Sequence, residues 1–111
     1  MLSNVHHIHC VGVGGIGVGA LAELLMLKGY TVSGSDTCSN AMTTRLAQLG
    51  VEVEYQHGLG AIKKADLLVY SSAVPDDNIE RQYAREHEMP SVRRGELMAH
   101  LFNQQKGLAI A

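Results

Sequence analysis

The chain has 111 residues, 46% of them hydrophobic and 18% charged, and carries a formal net charge of −2. That balance excludes a disordered segment, and the length suits one domain that buries a core without staples. No basic excess points to nucleic acid, no basic-then-apolar leader opens the chain, and no apolar run approaches the roughly 20 residues that span a bilayer. Cys10 and Cys38 lie far apart, with no C-x-x-C or His/Cys ligand spacing, so both read as reduced thiols of a cytoplasmic protein.

In chain order, His6 to Val13 predicts a buried first strand. Ile16, Ala20, Leu24 and Leu27, joined by Leu21 and Leu25, recur at helical spacing, and Gly29 after Lys28 is placed to end that helix. Tyr30 to Ser35 predicts a second strand. Met42, Leu46 and Leu49 mark a second helix, capped near Asn40 and closed by Gly50. Val51 to Tyr55 reads as a third strand and Asp66 to Ser71 as a fourth, its continuous Leu67-Leu68-Val69 suiting a strand covered on both faces. Asp77 and Glu80 have capping-box spacing ahead of a helix through Tyr83 to Glu86. Pro90 to Val92 predicts a short edge strand. Arg94 to Leu101 predicts a last helix with Leu97, Met98 and Leu101 facing inward. The apolar end, Gly107 to Ala111, has the character of a strand about to enter further structure, as in a piece of a longer protein.

Alternating strands and helices imply a parallel sheet with right-handed crossovers, and such sheets bind ligands beyond the carboxyl ends of their strands. Those ends are Gly12 to Gly17, Ser35-Asp36, Tyr55 to Gly58 and Ser71 to Val74. The first has the form G-x-G-x-x-G between a strand and a helix. Gly12 permits the tight turn, Gly14 lets a phosphate approach the backbone, and Gly17 lets helix and strand pack closely. The following helix adds free N–H groups and a positive dipole end, an anion site that needs no cationic side chain. Asp36, nineteen residues after Gly17, is placed to accept hydrogen bonds from a ribose or a base.

Each feature has a plainer reading beside the functional one. The loop could be a bare turn, Asp36 a cap, and Ser71-Ser72-Ala73 a polar strand end. Arg93 and Arg94 could be a solvated pair, although arginine suits bidentate recognition of phosphate or carboxylate. His7 and His9 share one face of a strand, but no third ligand has a convincing spacing, so no metal site is expected. His87 and His100 read as helix-surface residues. No catalytic triad and no pair of carboxylates for acid–base work stands out, so no catalytic residue is expected.

Four segments taken together carry a resemblance: His9 to Gly17, Ser33-Gly34-Ser35-Asp36, Ser71-Ser72-Ala73-Val74, and Val92 to Met98. In order and spacing they resemble the N-terminal domain of the Mur ligases, most nearly the members that join L-alanine to UDP-N-acetylmuramic acid. The resemblance covers essentially the whole chain. It implies an α/β fold, a Rossmann-like parallel sheet with helices on both faces, as a single domain over 1–106. Residues 107–111 would then begin the strand leading to a central ATP-binding domain.

The resemblance also implies that the domain holds the UDP part of UDP-N-acetylmuramic acid, with no cofactor of its own. Beyond the turn at Gly12, Gly14, Gly15, Ile16 and Gly17 would offer N–H groups to the diphosphate. Asp36 and Thr37 would lie by the uridine and His57 near the uracil. Ser71, Ser72 and Ala73 would line the phosphate and sugar side, with Arg93 and Arg94 close to the cleft. ATP and magnesium would belong to the central domain, where the muramyl carboxylate becomes an acyl phosphate that the amine of L-alanine attacks. The isolated chain should therefore bind substrate without turning it over. Val18-Gly19 and Cys10 depart from the family's usual methionine-containing pair and aromatic residue. A sister enzyme that ligates a recycled tripeptide has a different glycine loop and ranks lower. The alternatives are an NAD-sensing regulatory module of the kind found on potassium transporters and a small NAD-dependent dehydrogenase domain. Neither gives a reason for both the Ser71-Ser72-Ala73 and the Arg93-Arg94 motifs.

Overall fold

The alternating pattern folds as one five-stranded sheet with helices on both faces. The computed structural model describes residues 4–110, with side chains described up to residue 102. In chain order it contains β1 (His7–Val11), α1 (Ile16–Leu27), β2 (Thr31–Ser35), α2 (Ala41–Leu49), β3 (Glu52–Glu54), a 3-10 turn (Ala61–Lys64), β4 (Leu67–Tyr70), α3 (Ile79–Glu86), β5 (Ser91–Arg93) and α4 (Arg94–Ile110). All strand pairs are parallel, in the order β3-β2-β1-β4-β5. The chain starts in the middle, builds outward through β2 and β3, then returns to the other side of β1 for β4 and β5. The carboxyl ends of β1 and β4 therefore flank the point where the winding reverses, which is where an open α/β sheet forms a crevice.

Strand side chains alternate between the two faces. On one face Ile8, Cys10, Val32, Leu67 and Val69 meet Leu21 and Leu25 of α1, Leu46 of α2, and Leu97 and Leu101 of α4. The other face is smaller, with Val11 and Leu68 against Ile62 of the 3-10 turn and Ala84 of α3. Its remaining positions on β1 and β2 are polar: His7, His9, Thr31, Ser33 and Ser35, of which His9, Ser33 and Ser35 are fully buried. Polar groups are tolerated there only with their hydrogen bonds met.

Several expectations need correction. On α1 the buried residues are Val18, Gly19, Leu21, Ala22 and Leu25, while Ile16 and Leu27 are 86% and 78% exposed. Gly19 decides the rotation: a Cβ there would lie 2.9 Å from the Val13 carbonyl oxygen and 2.6 Å from Met42 Cγ, so the bare side of the helix presses on its neighbours. Asn78, not Asp77, caps α3, its side chain accepting from Glu80 N at 2.9 Å and Arg81 N at 3.1 Å. Glu80 does not complete a capping box, because its carboxylate is buried against His9 and Ser35. Between β3 and β4 a 3-10 turn that the apolar periodicity does not predict buries Ala61 and Ile62. Finally, α4 continues as helix to Ile110 where a strand was expected over 107–111, Ala111 lying outside the described residues. Leu, Ala, Gln and Lys are good helix formers, and a helix closes its bonds internally whereas a strand needs a neighbour to pair with. Among the described residues no helix is long and apolar enough to cross a membrane.

Candidate functional site

At the end of β1 the chain turns through Gly12 at φ 80°, a left-handed conformation that a side chain with Cβ rarely adopts. Gly12 N and Val13 N donate to Ser35 O at 2.8 and 3.0 Å, and Gly15 N donates to Gly12 O at 3.0 Å. The loop is thus tied to the end of β2 and curled on itself. Helix α1 then starts after Gly15 with no capping side chain and no acidic residue in its first turn. Among the described residues no side chain caps the N–H groups of its first turn, which keep the positive end of the dipole open.

Asp36 braces this loop. Its Oδ2 accepts from Gly14 N at 2.9 Å and its Oδ1 from Cys38 N at 3.0 Å. An anion that takes the Gly14 N–H must therefore displace a carboxylate. Thr37, next to it, is exposed, with Oγ1 4.0 Å from Cys38 Sγ.

Across the crevice, β4 runs into Ser71 and Ser72. Together with Arg93, Arg94, Gly95 and Glu96 they line a cavity of about 390 Å³. A second cavity of about 490 Å³ adjoins it, sharing Ser72, Arg93 and Glu96 and reaching Tyr70 and Arg81. Arg81 is already matched, 2.9 Å from Asp76 Oδ1 and 3.9 Å from the centre of the Tyr70 ring. The glycine loop and the exposed Ala73 line neither of these two cavities.

Arg94 is the link between cavity and loop. A Cβ on Gly17 would sit 2.8 Å from Arg94 Nε and 2.9 Å from its Cδ. The reading of Gly17 as a helix–strand contact is thus corrected: the space it leaves is filled by this arginine. Arg93 behaves differently, donating from Nε to Glu96 Oε1 at 3.1 Å with both side chains more than half exposed. Arg94 has no ion-pair partner among the described residues.

His57 sits at the carboxyl end of β2, its Nδ1 2.9 Å from Ser35 Oγ and 3.2 Å from Glu80 Oε2. It is the outer member of a buried network that sequence reasoning missed. Within it, Ser33 Oγ lies 2.8 Å from both His7 Nε2 and His9 Nδ1. His9 Nε2 lies 2.8 Å from Glu80 Oε1, and Ser35 Oγ donates to Glu80 Oε2 at 2.7 Å. His9 and Glu80 are completely buried. Ligand-type atoms of His9, Glu54 and Glu80 all lie within 4.8 Å of one another. The short His9–Glu80 contact holds a proton, which a metal ion would have to displace. One signal was available, the i, i+2 pairs His7/His9 and Ser33/Ser35 on the first two strands. Glu80, 71 positions from His9, had none. Burial pushes the Cys10 thiol up to about 12, so it offers no thiolate at neutral pH.

With this geometry in view, three likenesses are informative. The chain is 45% identical over 107 residues to a UDP-N-acetylmuramate–L-alanine ligase of Coxiella burnetii, covering 96% of this chain and 23% of that protein. It is 48% identical over all 111 residues to the like-named ligase of Janthinobacterium sp. (strain Marseille), 24% of whose length it covers. The crystal structure of UDP-N-acetylmuramate–alanine ligase from Thermotoga maritima superposes with a TM-score of 0.87 at 31% identity, over 93% of this chain and 24% of that one. The chain therefore spans about a quarter of the length of the curated relatives it matches. The model of the Mur ligase family, catalytic domain, matches residues 7–106, which with these identities shows that the chain belongs to the Mur ligase family.

Proposed function

We propose that this chain is the domain that binds the UDP portion of UDP-N-acetylmuramic acid for a cytoplasmic, ATP-dependent ligase that joins L-alanine to it. The observation that carries the reading is the uncapped start of α1, with no acid in its first turn, lying against Arg94, which has no ion-pair partner among the described residues and also lines the cavity beyond β4. That arrangement offers backbone N–H groups and one positive charge to a diphosphate.

In this reading the N–H groups of Ile16 and Gly17 donate to diphosphate oxygens, those of Gly14 and Gly15 join them on release from Asp36 and the Gly12 carbonyl, and Gly12 sets the turn that aims them. Arg94 supplies the positive charge that the loop lacks. Ser71 and Ser72 offer hydroxyls to phosphate and sugar, and Ala73 follows them without bulk. Asp36 and Thr37 lie beside the ribose, and His57 beside the base. Arg93 stays with Glu96 at the rim. In the same reading ATP and magnesium belong to another domain of the ligase rather than to this chain. The chain's own part is to bind and orient the nucleotide sugar.

Calorimetric titration with UDP-N-acetylmuramic acid and, separately, NADH tests the proposal. We expect the nucleotide sugar to bind at least about tenfold more tightly than NADH, a difference of about 1.4 kcal/mol. Tighter binding of NADH would overturn it.

A further inference from the structure

The buried network carries an inference that rests on the proposed uridine site and deepens it. Each hydrogen in it has one consistent place. Ser35 gives its only hydroxyl hydrogen to Glu80 Oε2 at 2.7 Å. Ser35 Oγ can then only accept at its 2.9 Å contact with His57, so the hydrogen there lies on His57 Nδ1. The same N–H points at Glu80 Oε2, 3.2 Å away. Glu80 Oε1 meanwhile accepts from His9 Nε2. Glu80 is completely buried and both its oxygens are acceptors, so all the hydrogens around it are drawn inward.

The consequence falls on the other ring nitrogen. The His57 side chain is 30% exposed, and no buried side-chain nitrogen or oxygen among the described residues lacks a partner. His57 Nε2, for which no partner is present among the described residues, therefore faces solvent, on a ring whose Nδ1 edge rests on Ser35, the residue before Asp36. We infer that Glu80, acting with Ser35, is a positioning residue that keeps a hydrogen on His57 Nδ1, so that the uncharged ring meets the ligand with Nε2 as a hydrogen-bond acceptor. An acceptor selects a donor. The base edge it fits is the imide N–H of a uracil, and it repels the lone pair that a cytosine presents at the same ring position.

Two-bond proton–nitrogen spectra of the histidine rings at pH 8 test the first half on the unaltered chain. The expected result is a proton on His57 Nδ1 and a bare Nε2, and a proton on Nε2 would overturn the assignment. Titration with UDP and CDP tests the second half. UDP should bind at least about tenfold more tightly, the effect of one hydrogen bond gained in place of one left unmade, and equal affinity would overturn that part. If the ring carries its proton on Nδ1 but neither nucleotide binds, the proposed uridine site fails and the network assignment stands. A Glu80→Gln variant adds a third reading. A glutamine offers one acceptor and one donor where the carboxylate offers two acceptors, so either His9 or His57 must move its proton. If His57 moves it, the preference for UDP collapses; if His9 moves it, the preference survives. A spectrum in which neither ring changes would show that Glu80 does not set the tautomers.

Discussion

At the residue scale, the two adjacent arginines at the start of α4 have separate roles. Arg93 is half of an exposed pair with Glu96 at i, i+3, a contact worth at most about 1 kcal/mol in water. Arg94 lies against Gly17 and lines the cavity with no ion-pair partner among the described residues. Arg94→Ala should weaken binding of UDP-N-acetylmuramic acid by about 1.5–3 kcal/mol, the range for a hydrogen bond to a charged group, while Arg93→Ala changes it by less than about 1 kcal/mol. Calorimetry on the two variants makes the comparison, and equal losses would contradict it. The pair was visible in the sequence, but their division of labour was not, because it depends on which one folds back over α1. Glu80 shows the same limit more sharply. Its spacing from Asp77 offered a local explanation, and its true partners come from β1, β2 and the loop after β3.

At the element scale, α1 and α2 start in opposite ways. Asn40 caps α2 fully, accepting from Thr43 N at 3.0 Å while Thr43 Oγ1 accepts from Asn40 N at 2.9 Å. Asn40→Ala should lower stability by about 1 kcal/mol, read as a shift in the urea midpoint, and an unchanged midpoint would contradict the capping role. Helix α1 has no such cap, and its stability rests on Leu21 and Leu25 in the core. Most elements were legible because their signals are local: the cap at Asn40, the stop at Gly50, and the apolar run of β4. What was not legible needed a partner. The buried stripe of α1 follows from Gly19 meeting Val13 and Met42, and the 3-10 turn exists because Ile62 fills the smaller core. The first strand stops at Val11 rather than Val13, because sheet pairing ends where the chain turns at Gly12.

At the scale of the whole molecule, the polar second face ties stability to pH. Burial, followed by the nearby His9, lowers the pKa of His7 below its ordinary 6.5. The folded state therefore binds a proton at His7 less readily than the unfolded chain. That contribution to stability is fully present above pH 6.5 and is lost as the pH falls through 6.5 toward the lowered folded value. Thermal unfolding between pH 8 and pH 5.5 should show declining stability, and His7→Gln, which keeps a side-chain hydrogen bond to Ser33 but does not titrate, should flatten the decline. A slope unaltered in that variant would place the titration elsewhere.

The same polar face leads to the nucleotide site through His57, so fold and binding share one set of contacts. Amide chemical-shift mapping of the chain with UDP-N-acetylmuramic acid is the most direct test of the central claim. The account predicts shifts gathered at Gly14 to Gly17, Asp36, His57, Ser71, Ser72 and Arg94, on both sides of the β1–β4 crevice. Shifts that cluster away from the glycine loop, or that appear there with NADH and not with the nucleotide sugar, would contradict it.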